Sequence, residues 1–295
     1  MKTNMQKQRI QYIVQIGTVI VCLLICCFCF ASELIMKRYG LVSSTQIFKE
    51  FHVVASPQWH HYASDFITFV HKAGRLYVWV LFGVPLLFLL HFLVIGPKKF
   101  SHTGKKIYFY SVVTRLFHWL CALCFSLLVF TGLMIVFAKT FGGGSTVLLA
   151  RTIHIWCAYA FLIVATPLFL IWLKDMIPAP HDLMWLLKAG GYLSKQTNQV
   201  PAGKFNFGQK MWFWLAFAGG VVMFYTGYYL STMGVSQAQM AAFLKIHLIL
   251  GLFILAFFIT HLYMSLFAIK GSLKSMIEGY KWEEEVRALH GKMLK

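Results

Sequence analysis

Six stretches of this 295-residue chain, at about 12–35, 75–95, 112–138, 148–173, 210–230 and 243–269, are each apolar for about the 20 residues a helix needs to cross a bilayer. In lipid, every backbone N–H and C=O must be satisfied inside the segment, so stretches of this kind become helices. They predict an all-α integral membrane fold. The last four spans form a four-helix bundle core within residues 101–295, preceded by an N-terminal region, 1–100, with two extra transmembrane helices and an outer loop. Charged residues make up only 12% of the chain against 59% hydrophobic ones, and the mean hydropathy is +0.69. A soluble domain of this length would lack the charge to cover its surface.

The formal charge of +18 does not indicate nucleic acid, because the basic residues sit in short segments between the apolar runs. Segments 96–115, 174–210 and 270–295 hold 5, 5 and 6 Lys or Arg, against Lys139, Arg151 and Lys245 on the opposite side of the core. The positive-inside rule therefore puts those three segments in the cytoplasm, and six spans put both termini there. Lys37 and Arg38, following the first span, are an exception on the outer side. The basic start, apolar stretch and Ala31–Ser32 also fit a secretory signal peptide. The length of the apolar run and the lack of an Ala-x-Ala site favour a retained anchor.

Region 37–73 reads as an outer loop, its His52, His60, His61 and His71 solvated. In the long loop 174–209, Pro178 and Pro180 end a helix. Residues 182–193 alternate apolar and polar at helical spacing, which predicts a short interfacial helix closed by Gly190 and Gly191. The basic segments and the tail offer docking surfaces for lipid head groups. The seven cysteines, Cys22, Cys26, Cys27, Cys29, Cys121, Cys124 and Cys157, all fall in apolar runs and read as small apolar side chains. No Cys-x-x-Cys-His occurs, which excludes covalent c-type haem attachment.

Histidines inside spans are costly and usually functional. Of the five, His118 and His261 fall at one depth on the inner side, and His154 and His247 at another on the outer side. His247 and His261 are fourteen residues apart. At about 100° and 1.5 Å per residue they lie within about 40° of one face and about 21 Å apart. That suits two b-type haems, one per leaflet, each held between imidazoles of facing helices. The alternative is a set of internally hydrogen-bonded histidines. His91 has no partner at its depth and reads as structural. Gly251, one turn after His247, would let a porphyrin approach the backbone. Arg115 precedes His118, and Arg151 precedes His154, by three residues on the same face. Each arginine either pairs with a haem propionate or is a topology-setting interface charge.

Arg115–Trp119, His154, His247-xxx-Gly251, His261-Leu-Tyr-Met, Lys204-Phe-Asn-Phe-Gly-Gln-Lys210 and Lys270–Gly279 together make about 105–290 resemble the gamma subunit, or membrane cytochrome b, of respiratory formate dehydrogenase. The resemblance implies haem ligation by the same histidine pairs. It also implies a menaquinone pocket beside the inner haem, with Asn206, Gly208, Gln209 and His261 carried over by motif. The plain alternative for those loop residues is helix capping. The implied role is electron transfer at the bacterial inner membrane, from an iron–sulphur beta subunit served by a catalytic molybdenum or tungsten alpha subunit, through two haems to the quinone. The competing readings are the cytochrome b subunit of a nickel–iron hydrogenase and a haem-free membrane anchor. A transporter is disfavoured because the intramembrane histidines lack a carboxylate relay. The two N-terminal spans depart from the four-span form.

Overall fold

A computed structural model describes residues 57–101, 104–196 and 199–294. The first expected span, 12–35, lies outside the described residues, as do Lys37, Arg38, His52 and the side chains of His60 and His61. Among the described residues, five helical stretches are long and apolar enough to cross a membrane: Thr68–Val94, Val112–Val136, Gly144–Met176, Phe207–Thr232 and Ala238–Ala268. They coincide with the five later spans expected from the sequence.

The first of these belongs to α1 (Pro57–Val94), which is longer than its apolar part. Residues 57–73, expected as loop, are helical. Pro57 starts the helix with a preset φ and no N–H to leave unpaired, and no glycine or further proline follows until Gly74. The segment is too polar to stand out as a span, yet nothing in it breaks a helix. His71 is exposed on it.

Two compact units make up the chain. In the first, residues 138–143 form a turn, in which Gly143 N donates to Ala138 O at 2.8 Å, ahead of a helix that begins at Gly144. Gly142, Gly143 and Gly144 all have positive φ there, a conformation open to glycine. The second unit, Pro57–Phe137 with Ala150–Lys295, holds the bundle. Helix α2 (Val112–Val136) starts at Ser111, whose Oγ accepts from Thr114 N at 3.1 Å. Helix α3 (Gly144–Trp172) runs on as a 3-10 turn, Leu173–Met176. Helix α4 (Pro180–Leu187) is the short helix expected in the long loop, and Gly190 and Gly191 close it at φ +60° and +74°. A Cβ on Gly190 would collide with the Trp185 ring.

The next span is α5 (Phe207–Trp214), a π-helical segment Leu215–Gly219, and α6 (Gly220–Thr232). Helix α7 (Gln237–Tyr263) continues as a second π segment, Met264–Ala268. Both α1 and α6 pack along α7. Aromatic rings fill the interior: Phe125 touches Phe161, Trp212 and Phe258, and Phe169 stacks on Phe213 and Phe217.

After the last span come α8 (Ser272–Glu278), β2 (Tyr280–Trp282) and α9 (Glu283–Leu289). Strand β2 pairs antiparallel with β1 (Lys106–Tyr108), Ile107 opposite Lys281. Lys98 Nζ donates to the Ser194 and Gln196 carbonyls, Val200 N to Ala288 O at 3.1 Å, and Lys292 N to Ala202 O at 3.0 Å. The three basic segments expected on one side thus close into a single cap. Inside the cap, His290 donates from Nδ1 to Gly203 O at 3.0 Å. Burial, with the Lys281 ammonium nearby, pushes its imidazole down to about 3. Lys281 is buried with Glu285 at 2.5 Å.

Candidate functional site

The structure brings the four span histidines together as two pairs, and α7 contributes to both. His154 and His247 each sit ten residues into their helices, which start at Gly144 and Gln237. Their ring centres are 6.3 Å apart. His118, six residues into α2, meets His261 with ring centres 6.4 Å apart. Two metal–imidazole bonds of about 2.0 Å, plus about 1.15 Å from each nitrogen to its ring centre, require about 6.3 Å. Both gaps are iron-sized.

A cavity of about 440 Å³ opens around the outer pair, within the range of cofactor pockets. Its walls are apolar, and Arg151 stands at its edge, Nη2 3.4 Å from Ser231 O. Two residues outside the expected set orient these two histidines. Thr131 Oγ1 lies 2.9 Å from His154 Nδ1, and Thr226 Oγ1 lies 2.9 Å from His247 Nδ1. Each hydroxyl has a single proton, given to the carbonyl of Leu127 at 2.6 Å or Val222 at 2.9 Å. The threonine oxygen therefore accepts the ring N–H. Nδ1 is the protonated nitrogen, and Nε2 keeps the lone pair that a metal needs. Gly132 and Gly227 follow the two threonines, and a Cβ on either would come 3.3 Å from the imidazole Cε1 beside it. The sequence held the signal: a Thr-Gly pair occurs in α2 and again in α6, ahead of the outer histidine of the next helix. It is a second internal echo besides the arginine–histidine one.

At the inner pair, Trp212 stacks on His261 at 5.4 Å, while Trp119 and Trp172 flank His118. Three nitrogens here are buried without a hydrogen-bond partner among the described residues: His118 Nδ1, Trp172 Nε1 and Arg115 Nε. Buried donors rarely go unpaired, and the Arg115 guanidinium together with the Trp172 indole N–H fits an acidic group that the protein alone does not supply. Arg115 also donates to Ile277 O. Cys121 and Cys124 are free thiols packed near this face, as expected.

Asn206 and Gln209 cap α5 reciprocally: Gln209 N donates to Asn206 Oδ1 and Asn206 N to Gln209 Oε1, both at 3.0 Å. Those bonds use the amide oxygens and leave the NH2 groups out of the cap. Gly208 lies under Trp185, 3.1 Å from where its Cβ would be. Gly251 lines the outer cavity, but what it chiefly admits is Tyr77 of α1, whose hydroxyl a Cβ would meet at 2.5 Å. Tyr77 donates to Leu248 O at 2.9 Å. His91, expected to be structural, donates from Nε2 to Tyr192 O at 2.9 Å and accepts from Tyr263 Oη at 2.6 Å.

The pattern of the prokaryotic cytochrome b561 family matches residues 109–279, which hold all four histidines. The chain belongs to that family. Cytochrome b561 membership implies haem b, and both pairs fit it by spacing, by tautomer at the outer site and by orphaned donors at the inner one. An Escherichia coli K12 protein, the nitrate-inducible formate dehydrogenase cytochrome b556(Fdn) subunit, is 30% identical over 187 residues, 60% of this chain and 84% of that one. The formate dehydrogenase cytochrome b556 subunit of Haemophilus influenzae is 27% identical over 56% of this chain and 73% of its own length. The E. coli cytochrome b556(fdo) subunit is 24% identical over 60% and 92%. These relatives bear out the resemblance read from the sequence motifs. Helix α1, with Tyr77 and His91, lies outside the matched region.

Proposed function

We propose that the chain is the membrane cytochrome b subunit of a formate dehydrogenase, holding two b haems and passing electrons from an iron–sulphur partner to menaquinone. The observation that carries this is the two histidine pairs at iron-sized separations on one shared helix, in a chain that spans most of the length of relatives named as such subunits. When bound, each haem supplies a one-electron carrier. His154 and His247 hold the outer iron position and His118 and His261 the inner one. Arg151 would pair with a propionate at the outer cavity, and Arg115 with Trp172 would do so at the inner pair. Apolar walls keep water from the outer site.

A quinone taking two electrons needs two protons and hydrogen bonds to its carbonyls. The NH2 groups of Asn206 and Gln209, the first-turn N–H of Gly208 and the nearby His261 offer donors at the edge of the cap. With the cap side and both termini cytoplasmic, protons enter from that side and charge crosses the bacterial inner membrane. Formate is oxidised on a partner chain with a molybdenum or tungsten centre. Among the described residues, no group of three or more His, Cys, Asp and Glu is placed to hold a metal.

In membranes carrying the assembled complex, formate is expected to reduce b-type absorption bands that hydrogen leaves oxidised. His247→Ala is expected to delete about half of the bound haem and stop quinone reduction. Bands reduced by hydrogen and not by formate would assign the chain to a hydrogenase. Unchanged haem content in the variant would sink the ligand assignment.

A further inference from the structure

The two histidine pairs differ in what stands behind them. At the outer pair, each ring N–H is taken by a threonine oxygen at 2.9 Å. At the inner pair, neither ring bonds a hydroxyl: His118 Nδ1 has no partner among the described residues, and His261 faces the stacked ring of Trp212. An imidazole whose N–H is accepted by an oxygen is the more basic ligand at its other nitrogen. A more basic ligand stabilises the ferric over the ferrous state, and hydrogen bonding behind an axial ligand is among the levers that set a haem's potential.

We infer that Thr131 and Thr226 hold the outer haem at a lower midpoint potential than the inner one. With haems bound, that ordering would make one-electron transfer from the outer to the inner iron downhill, the outer being oxidised as the inner is reduced, with the iron–sulphur partner as reductant and the quinone as final oxidant. The inference rests on the two-haem reading above. Neither threonine is a ligand; both act through a histidine, as positioning residues. Arg115, one turn from His118, favours reduction at the inner site and adds to the same ordering. Arg151, at the outer cavity, acts the other way, so its effect has to be kept apart from theirs.

Substitution at the threonines alone isolates the effect. Potentiometric titration of the purified complex, followed at the b-type bands, is expected to give two waves, the lower one lost in His247→Ala. Thr131→Val and Thr226→Val nearly keep the side-chain volume and delete the acceptor. Each is expected to shift the lower wave upward and leave the higher one in place, while Thr131→Ser and Thr226→Ser hold it near its original position. A lower wave that stays put in both valine variants, or that survives His247→Ala, overturns the inference. Loss of the outer haem from the valine and serine variants alike also overturns it, since the threonines would then matter only for packing. A protein without b-type bands would instead defeat the haem reading itself.

Discussion

Tyr77 and Gly251 show how closely single atoms are fitted at the outer cavity. A methyl on Gly251 would reach the tyrosine hydroxyl at 2.5 Å but the ring carbon bearing it only at 3.8 Å. Gly251→Ala is therefore expected to cost about 1–3 kcal/mol, as overpacking does. Adding Tyr77→Phe is expected to recover most of that, and thermal unfolding in detergent measures both; a double variant no more stable than Gly251→Ala would contradict the fit. The four histidines were legible because a polar ring in an apolar span stands out. The threonines were not. Threonine is half apolar and bonds its own helix, so the repeated Thr-Gly pair gains its meaning once His154 and His247 lie beside it. Gly251 was singled out for the right cavity, but its neighbour comes from α1, which no spacing within α7 could reveal.

At the scale of elements, hydropathy located the five described spans because the bilayer sets one length for all of them. It missed the polar half of α1, where helix formation depends on the absence of breakers. It also missed the π segments after Trp214 and Tyr263, whose extra residue per turn answers to packing rather than composition. The short helix of the long loop was read correctly, but its anchor was not. Asp182 of α4 accepts from Lys210 of α5 at 2.8 Å, both side chains at most 5% exposed, and also from Ala179 N at 2.7 Å. Asp182→Ala leaves a buried ammonium unpaired and is expected to destabilise the protein by about 3–5 kcal/mol, measured by denaturant titration. A loss within error of zero would mean that water reaches Lys210.

For the whole molecule, counting basic residues put three segments on one side, and the cap joins the same three. Their stitching was beyond the sequence, since Val200 and Ala288 meet through a backbone bond, and Lys106 and Trp282, far apart in the chain, through strand pairing with the ammonium 5.0 Å over the indole. A reporter fused after the tail is expected to be active only if its folding requires the cytoplasm; an active periplasmic reporter there would invert the topology. The cap should also sense acid. His290 titrates at about 3 when folded against 6.5 when free. Between those values the unfolded state binds the extra proton, so stability is full above about pH 6.5 and falls as pH drops towards 3. Hydrogen exchange across 280–292 is expected to speed up through that window, and His290→Asn to flatten the response.

The cap also has a consequence for biogenesis. Its strands and backbone bonds join residues 98–110 and 194–206 to partners at 269–292, translated only after every described span has been made. The basic loops therefore leave the ribosome without their partners, and the carbonyls of Ala202 and Gly203 stay wet until the tail arrives. A chain cut short before residue 280 would carry the four paired histidines into the membrane yet leave the loops of the cap without these partners.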